Sequence, residues 1–198
     1  MTIQNSQQVT ERVKATEKVS EPIEISQLQR VKAMKILGVT ITNGLSVSPH
    51  VQSVIVSCAQ VLYALRVLRA HGLCDSALQT IYHSVVIAKL CYASSAWEGF
   101  ANATDLNKIQ SFINKSKRSG YCSPDLPDFE NLCTSMNSDL FNKVLNTPNT
   151  CLATSITTPN STQPYGLRTR AHNRTLPQRK SHLADCNFVI RMLYLNAY

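Results

Sequence analysis

Between Ser48 and Gly72 the chain carries the pattern that most restricts its fold. Ser48-Pro49 is a helix-start signal, because a proline at the first helical position forfeits no hydrogen bond and its ring presets φ. Val51, Val54, Ile55, Cys58, Leu62, Leu65 and Arg69 then recur at three- and four-residue steps, the period of one helical face. The spacing predicts a long helix with Ser48 as its N-cap, ending at His71-Gly72. A stripe of that length must be covered, and the residues that follow supply the cover. A second helix is predicted from Asp75 through Leu78, Ile81, Tyr82, Val85, Ala88 and Lys89 towards Trp97. It is apolar almost all round, which predicts the most buried helix of the chain. A third opens near Thr104-Asp105, uses Leu106, Ile109, Phe112 and Ile113, and stops at Gly120 after Lys115, Lys117 and Arg118.

On either side of this helical block the pattern changes. Residues 1–22 are rich in Gln, Thr, Ser, Lys and Glu, which predicts a poorly ordered lead-in. In residues 23–47 the apolar alternation Ile23, Ile25 is followed by Met34, Ile36, Val39 and Ile41, with Gly38 inside the run and Asn43-Gly44 closing it. That predicts a short strand or β hairpin, with Gly38 marking a bulge or the close approach of another backbone or a ligand. Helical sequence ends near residue 146, after two short stretches, Phe129 to Met136 and Ser138 to Asn146. Residues 147–164 are rich in Thr, Asn, Ser and Pro and are predicted as a linker, and residues 165–198 form a basic C-terminal segment. The fold class expected is mainly α, with a small β hairpin, a helical domain over 48–146 and a loop-rich C-terminal third.

Charge narrows the classes of partner. The net charge is +8, and residues 151–198 hold six Lys or Arg against one Asp. A basic excess favours a polyanion, nucleic acid above all, although ordinary solubility explains it as well. Charged residues make up only 16% of the chain against a norm of about 25%, which fits a piece that leans on a neighbouring domain or a chain rich in uncharged polar loops. Seven cysteines without a C-x-x-C pair suggest neither a disulfide framework nor a zinc ribbon. The N-terminus has no apolar signal region, and no stretch is read as approaching the ~20 apolar residues of a bilayer span, so a nuclear or cytoplasmic location is expected. The five histidines sit in no local motif, and no Ser-His-Asp or Cys-His arrangement suggests a hydrolase.

The blocks KILGVTI (35–41), LYALRVLRAHGL (62–73), VIAKLCYASSAWEGF (86–100), YGLRTRAHNRTLP (165–177) and NFVIRMLY (187–194) carry a resemblance. In order and spacing they resemble the C-terminal region of reverse transcriptases of non-LTR, LINE-type (jockey- or CR1-like) retrotransposons, over roughly residues 23–198. Lys35, Leu37 and Gly38 match the family's leucine-glycine motif, the primer grip, and the helices after it match the thumb. The resemblance implies an RNA-directed DNA polymerase part whose partners are RNA and DNA in a template-primer duplex, together with the fingers and palm of the parent enzyme. The family's metal-holding aspartate pair has no counterpart, because no Asp-Asp dipeptide occurs in the chain. Magnesium is therefore expected only in the absent palm, no cofactor is expected here, no catalytic residue is assigned, and the chain alone is expected to be inactive as a polymerase. The alternatives are a co-opted nucleic-acid-binding or protein-interaction module, and the remnant of a decayed element.

Several basic groups are candidates for nucleic-acid contact. Arg66, Arg69 and His71 on the first helix suit phosphates in the manner of a thumb helix, and equally suit a solvated helix end. Lys115, Lys117 and Arg118 have the same two explanations. Arg168, Arg170, His172, Arg174, Arg179 and Lys180 are denser and bounded by glycine and proline, and phosphate contact is the better reading there. For Trp97, Tyr92 and Phe100, core packing is a better reading than base stacking, and the cysteines read as buried small hydrophobes.

Overall fold

The computed structural model describes residues 30–147, 174–179 and 181–195. The expected lead-in over 1–22, the alternation at Ile23 and Ile25, most of the linker, and Arg168, Arg170, His172 and Lys180 lie outside the described residues. Contacts divide the chain between Val31 and Lys32, and all that follows concerns the second unit.

The architecture is mainly helical, with a two-stranded antiparallel hairpin followed by helices. Strand β1 (Ala33–Ile36) pairs with β2 (Val39–Thr42) in the register Ile36 opposite Val39 and Ala33 opposite Thr42. Leu37 and Gly38 are the two loop residues, with φ of 46° and 88°. Two successive positive φ values give the turn whose twist matches a hairpin, and glycine takes its half at no steric cost. Gly38 is thus the hairpin turn, which corrects the expectation of a mid-strand bulge. Asn43-Gly44 belongs to the next turn, where Leu45 N–H donates to the Thr42 carbonyl at 2.9 Å.

Helix α1 (Ser48–Ala70) spans 23 residues with Pro49 in its first turn. Its N-cap is Val47 and not Ser48, because the Ser48 hydroxyl is drawn to the Asp105 carboxylate instead of its own backbone. Val51, Cys58 and Leu65 are buried as the spacing predicted. By length and composition α1 also reaches the dimensions of a membrane span, contrary to the sequence expectation. Its buried stripe packs on the other helices, and Gln52, Ser53, Gln60 and Arg66 lie on its exposed side.

The second helical rod is α2 (Asp75–Ile81), a π-helical turn (Tyr82–Ile87) and α3 (Ala88–Leu90). Leu78, Tyr82, Val86 and Leu90 are buried at four-residue spacing. In a pure α-helix each such step overshoots a full turn by about 40°. The wider π turn absorbs that drift and returns the four side chains to one face. His83, Val85 and Lys89 are exposed, so the rod is buried on one side only, a correction to the all-round burial expected. A left-handed Ala93 (φ 51°) breaks the rod before α4 (Ser94–Trp97) and a 3₁₀ turn (Glu98–Phe100).

Helix α5 (Ala103–Arg118) is capped by the Asn102 side chain, which accepts from Asp105 N–H at 2.7 Å. Helix α6 (Phe129–Asn146) is one helix where two short stretches were expected. The sequence hinted at a break around Asn137, since Asn side chains compete for helix backbone. Here its carboxamide is buried and satisfied elsewhere, accepting from Ser95 Oγ at 2.6 Å and donating to Glu98 at 2.9 Å. Trp97 is buried between His50 (ring centroids 5.4 Å apart) and Phe129 (6.1 Å), and its indole N–H donates to the Tyr92 carbonyl at 2.9 Å. Each such fully buried side chain stabilises the fold by about 1.5–3 kcal/mol. Two short helices, α7 (His182–Cys186) and α8 (Phe188–Tyr194), are capped by Ser181 and Asn187. Their apolar residues Val189, Met192 and Leu193 form a cluster with Phe141, separate from the main core.

Candidate nucleic-acid interface

Helices α1 and α5 lie side by side in parallel, and two contacts fix this. At their starts Ser48 meets Asp105 and Asn102, and at their ends Arg69 donates to the carbonyls of Ser119 and Gly120, both at 2.9 Å. Arg66 follows Ser48 by 18 residues, about five full turns, so it lies on the flank of α1 that borders α5. Lys115 and Arg118 stand in the last turn of α5, at the end that Arg69 of α1 closes. Arg66, Lys115 and Arg118 are exposed, so the seam between the two helices is edged by cations from both sides.

The other predicted side chains divide. Arg69 is occupied by the fold: besides the two carbonyls it lies 3.8 Å from Asp75 and 4.2 Å over the ring of Tyr121. It closes the open carbonyl end of α5, which is why a cation stands there. Lys117 is likewise taken, donating to the Leu126 carbonyl with Asp128 3.8 Å away. Arg179 pairs with Asp185 at 3.3 Å and stacks 4.0 Å over Tyr194, and Arg174 is half-buried. These placements give Arg69, Lys117 and Arg179 partners within the fold. His71 is exposed at the C-terminal end of α1.

At the hairpin, Lys35 is exposed and Leu37 is 87% exposed. The close approach that Gly38 suggested is made by the protein itself. The Tyr92 hydroxyl donates to the Leu37 carbonyl at 3.2 Å, and a Cβ on Gly38 would stand 3.3 Å from the Tyr92 ring. Tyr92 is therefore neither core, as expected, nor a free stacking ring; it props the hairpin tip. Trp97 is core, and Phe100 is half-buried.

Two participants escaped the sequence reading. Tyr63 is 70% exposed, one turn before Arg66. Lys108, 3.2 Å from the buried Asp105, stands on the same flank of α5 as Lys115. Their signal was a helical offset from residues already singled out. The absence of acids escaped as well: no Asp or Glu occurs from residue 25 to 74 or from 76 to 97. Asp105, the acid nearest the seam, is buried and met by Lys108 and Ser48. Such a face presents positive potential with little to cancel it.

The thiols follow burial. Burial pushes Cys58 and Cys91 up to about 11 and Cys133 up to about 12. Cys74 is exposed, and bonds from Ser76 and the Ala77 N–H lower its pKa. Among the described residues no group of three His, Cys, Asp or Glu side chains converges as a metal-ligand set. With the geometry in place, comparison with known proteins adds no name to it: no protein-family model, curated protein or solved structure matches the chain.

Proposed function

We propose that the chain is the primer-grip and thumb segment of a LINE-type RNA-directed DNA polymerase, holding a template-primer duplex by its phosphates while contributing no catalytic carboxylate. The observation that carries this reading is the parallel pairing of α1 and α5, with Arg66, Lys115 and Arg118 exposed and no Asp or Glu within α1. Two parallel rods with cations along their shared edge suit the regularly spaced phosphates of a nucleic-acid backbone, and they carry no base-reading geometry. Binding is then independent of sequence and steeply dependent on salt. The hairpin, with Lys35 in β1 and Leu37 and Gly38 at its tip, precedes α1 in the chain, an order that supports the primer-grip reading.

The exposed apolar residues Met34, Ile36 and Leu37 favour a second reading, a module that docks on another protein domain. A salt titration of duplex and RNA-DNA hybrid binding separates the two. Replacing Arg66, Lys115 and Arg118 together by alanine lowers the log-log salt slope by up to about 2.7 units on B-form DNA, at about 0.9 per phosphate contact. The melting temperature stays where it was, because none of the three closes a helix end. A slope identical to the unmutated chain's rules out the seam as a nucleic-acid surface.

A further inference from the structure

We propose that residues 174–179 and 181–195 form a strap that docks on the helical body and releases from it as a unit, with Arg191 and Glu98 as the latch. The strap is tied within itself. The Tyr194 hydroxyl donates to the Pro177 carbonyl at 2.6 Å, Arg179 stacks over the Tyr194 ring, and Arg179 pairs with Asp185. Its apolar side chains Val189, Met192 and Leu193 meet Phe141 near the end of α6 in a cluster of their own. The main core, from Val39 to Cys133, contains none of them. A satellite cluster of this size opens at a lower free energy than the core it borders, and contiguous pieces of that kind open cooperatively.

Besides that apolar contact with Phe141, one polar latch joins strap to body. The Arg191 guanidinium donates to Glu98 Oε2 at 3.1 Å and to the Ser95 carbonyl at 3.4 Å, while its Nε is buried without a partner. Beneath it lies Gly99, where a Cβ would run into the Cys186 carbonyl oxygen and stand 2.9 Å from Arg191 Nε. The body therefore admits the strap at Gly99 and fastens it there by one ion pair, beside the apolar contact with Phe141. When the strap leaves, Glu98 keeps a partner, since Asn137 already donates to it at 2.9 Å. The body loses no buried backbone bond of α1 or α5 in that event. A latch whose acceptor is satisfied on both sides of the transition lowers the cost of opening, which is what a releasable contact needs.

Amide hydrogen exchange on the full chain tests this, by comparing peptides from 182–195 with peptides from 48–70 and 103–118. In the unmutated protein the strap peptides exchange faster than those of α1 and α5. Gly99→Ala acts from the body side and Arg191→Met from the strap side, and each speeds exchange in the strap by about tenfold or more while α1 and α5 keep their rates. Arg191→Lys restores part of the protection. If either variant accelerates α1, α5 and the strap together, the strap is part of one cooperative core and the proposal fails. Exchange unchanged in the strap of both variants overturns it too, because the latch then holds nothing.

Discussion

The flank of the α1/α5 seam and the C-terminal segment are both basic, yet their described cations have different surroundings. On the seam Arg66, Lys115 and Arg118 are exposed. In the C-terminal segment Arg179 is held by Asp185 and Tyr194, and Arg191 by Glu98 and Ser95. The segment with the denser basic sequence thus keeps these two arginines for its own packing. A charge count does not locate a polyanion site; what decides is whether each cation has an acid, a carbonyl end or an aromatic ring within reach of its own fold. Arg69 shows the rule within a single helix, since it stands three residues from exposed Arg66 and donates to two carbonyls of the fold.

The sharpest break in the comparison comes from that neighbour. Arg69→Ala removes two donors from the carbonyl end of α5 and a cation from the face of Tyr121. Chemical denaturation should show a loss of about 2 kcal/mol. The salt slope of duplex binding should stay within about half a unit of the unmutated chain's. Arg66→Ala gives the reverse pattern, a shallower slope at unchanged stability. If Arg69→Ala flattens the slope and leaves stability intact, the division between structural and binding cations is wrong.

The same contrast of buried and exposed groups governs the thiols. Cys58, Cys91 and Cys133 have pKa values raised by burial from the ordinary 9.0 to about 11 or 12. Between those values the unfolded chain has lost thiol protons that the folded chain still holds. The stabilisation is therefore complete below pH 9 and is lost as pH rises through the folded values. Melting temperature should be level up to about pH 8.5 and fall between about 9 and 11, and Cys58→Ala should flatten that fall. Cys74, with its exposed and lowered thiol, should be the first of the described cysteines alkylated by iodoacetamide at neutral pH, read by peptide mass spectrometry. Alkylation of Cys58 or Cys133 ahead of Cys74 contradicts the packing of the core.

How much of this was legible beforehand depends on the range of the interaction. The helices announced themselves because Val51, Cys58 and Leu65, or Ile109, Phe112 and Ile113, repeat at the period of a local structure. The hairpin was legible for the same reason, although Gly38 was assigned to the wrong place within it. Contacts between distant residues were not legible. Nothing local says that Ser48 turns away from its own helix towards Asp105, or that Asn137 is satisfied by Ser95 and Glu98 and so permits one long α6. The π turn at Tyr82–Ile87 had a trace in the four-residue spacing of Leu78, Tyr82, Val86 and Leu90, which an unbroken α-helix does not keep on one face. At the candidate site, Arg66, Lys115 and Arg118 were found by residue type. Their separation from Arg69 and Lys117 needed the third dimension, because all five look alike along the chain.

The smallest effect belongs to Arg179, and it tests the C-terminal half of the comparison most finely. Its pair with Asp185 is half exposed on both sides, with side-chain exposures of 48% and 43%, and such surface pairs contribute about 0.2–1 kcal/mol. The stacking over Tyr194 adds about 0.5 kcal/mol, being also open to solvent. Arg179→Ala should therefore lower stability by no more than about 1.5 kcal/mol. The loss should appear as faster exchange confined to peptides from 182–195, because Arg179 ties the strap to itself and touches neither α1 nor α5. Arg179→Lys should recover the ion pair without the flat guanidinium that lies on the ring, and so restore only part of the protection. Were Arg179 a phosphate ligand instead, alanine would leave exchange alone and reduce the salt slope by about 0.9 unit. That outcome would move the C-terminal segment to the same side of the comparison as the α1/α5 seam.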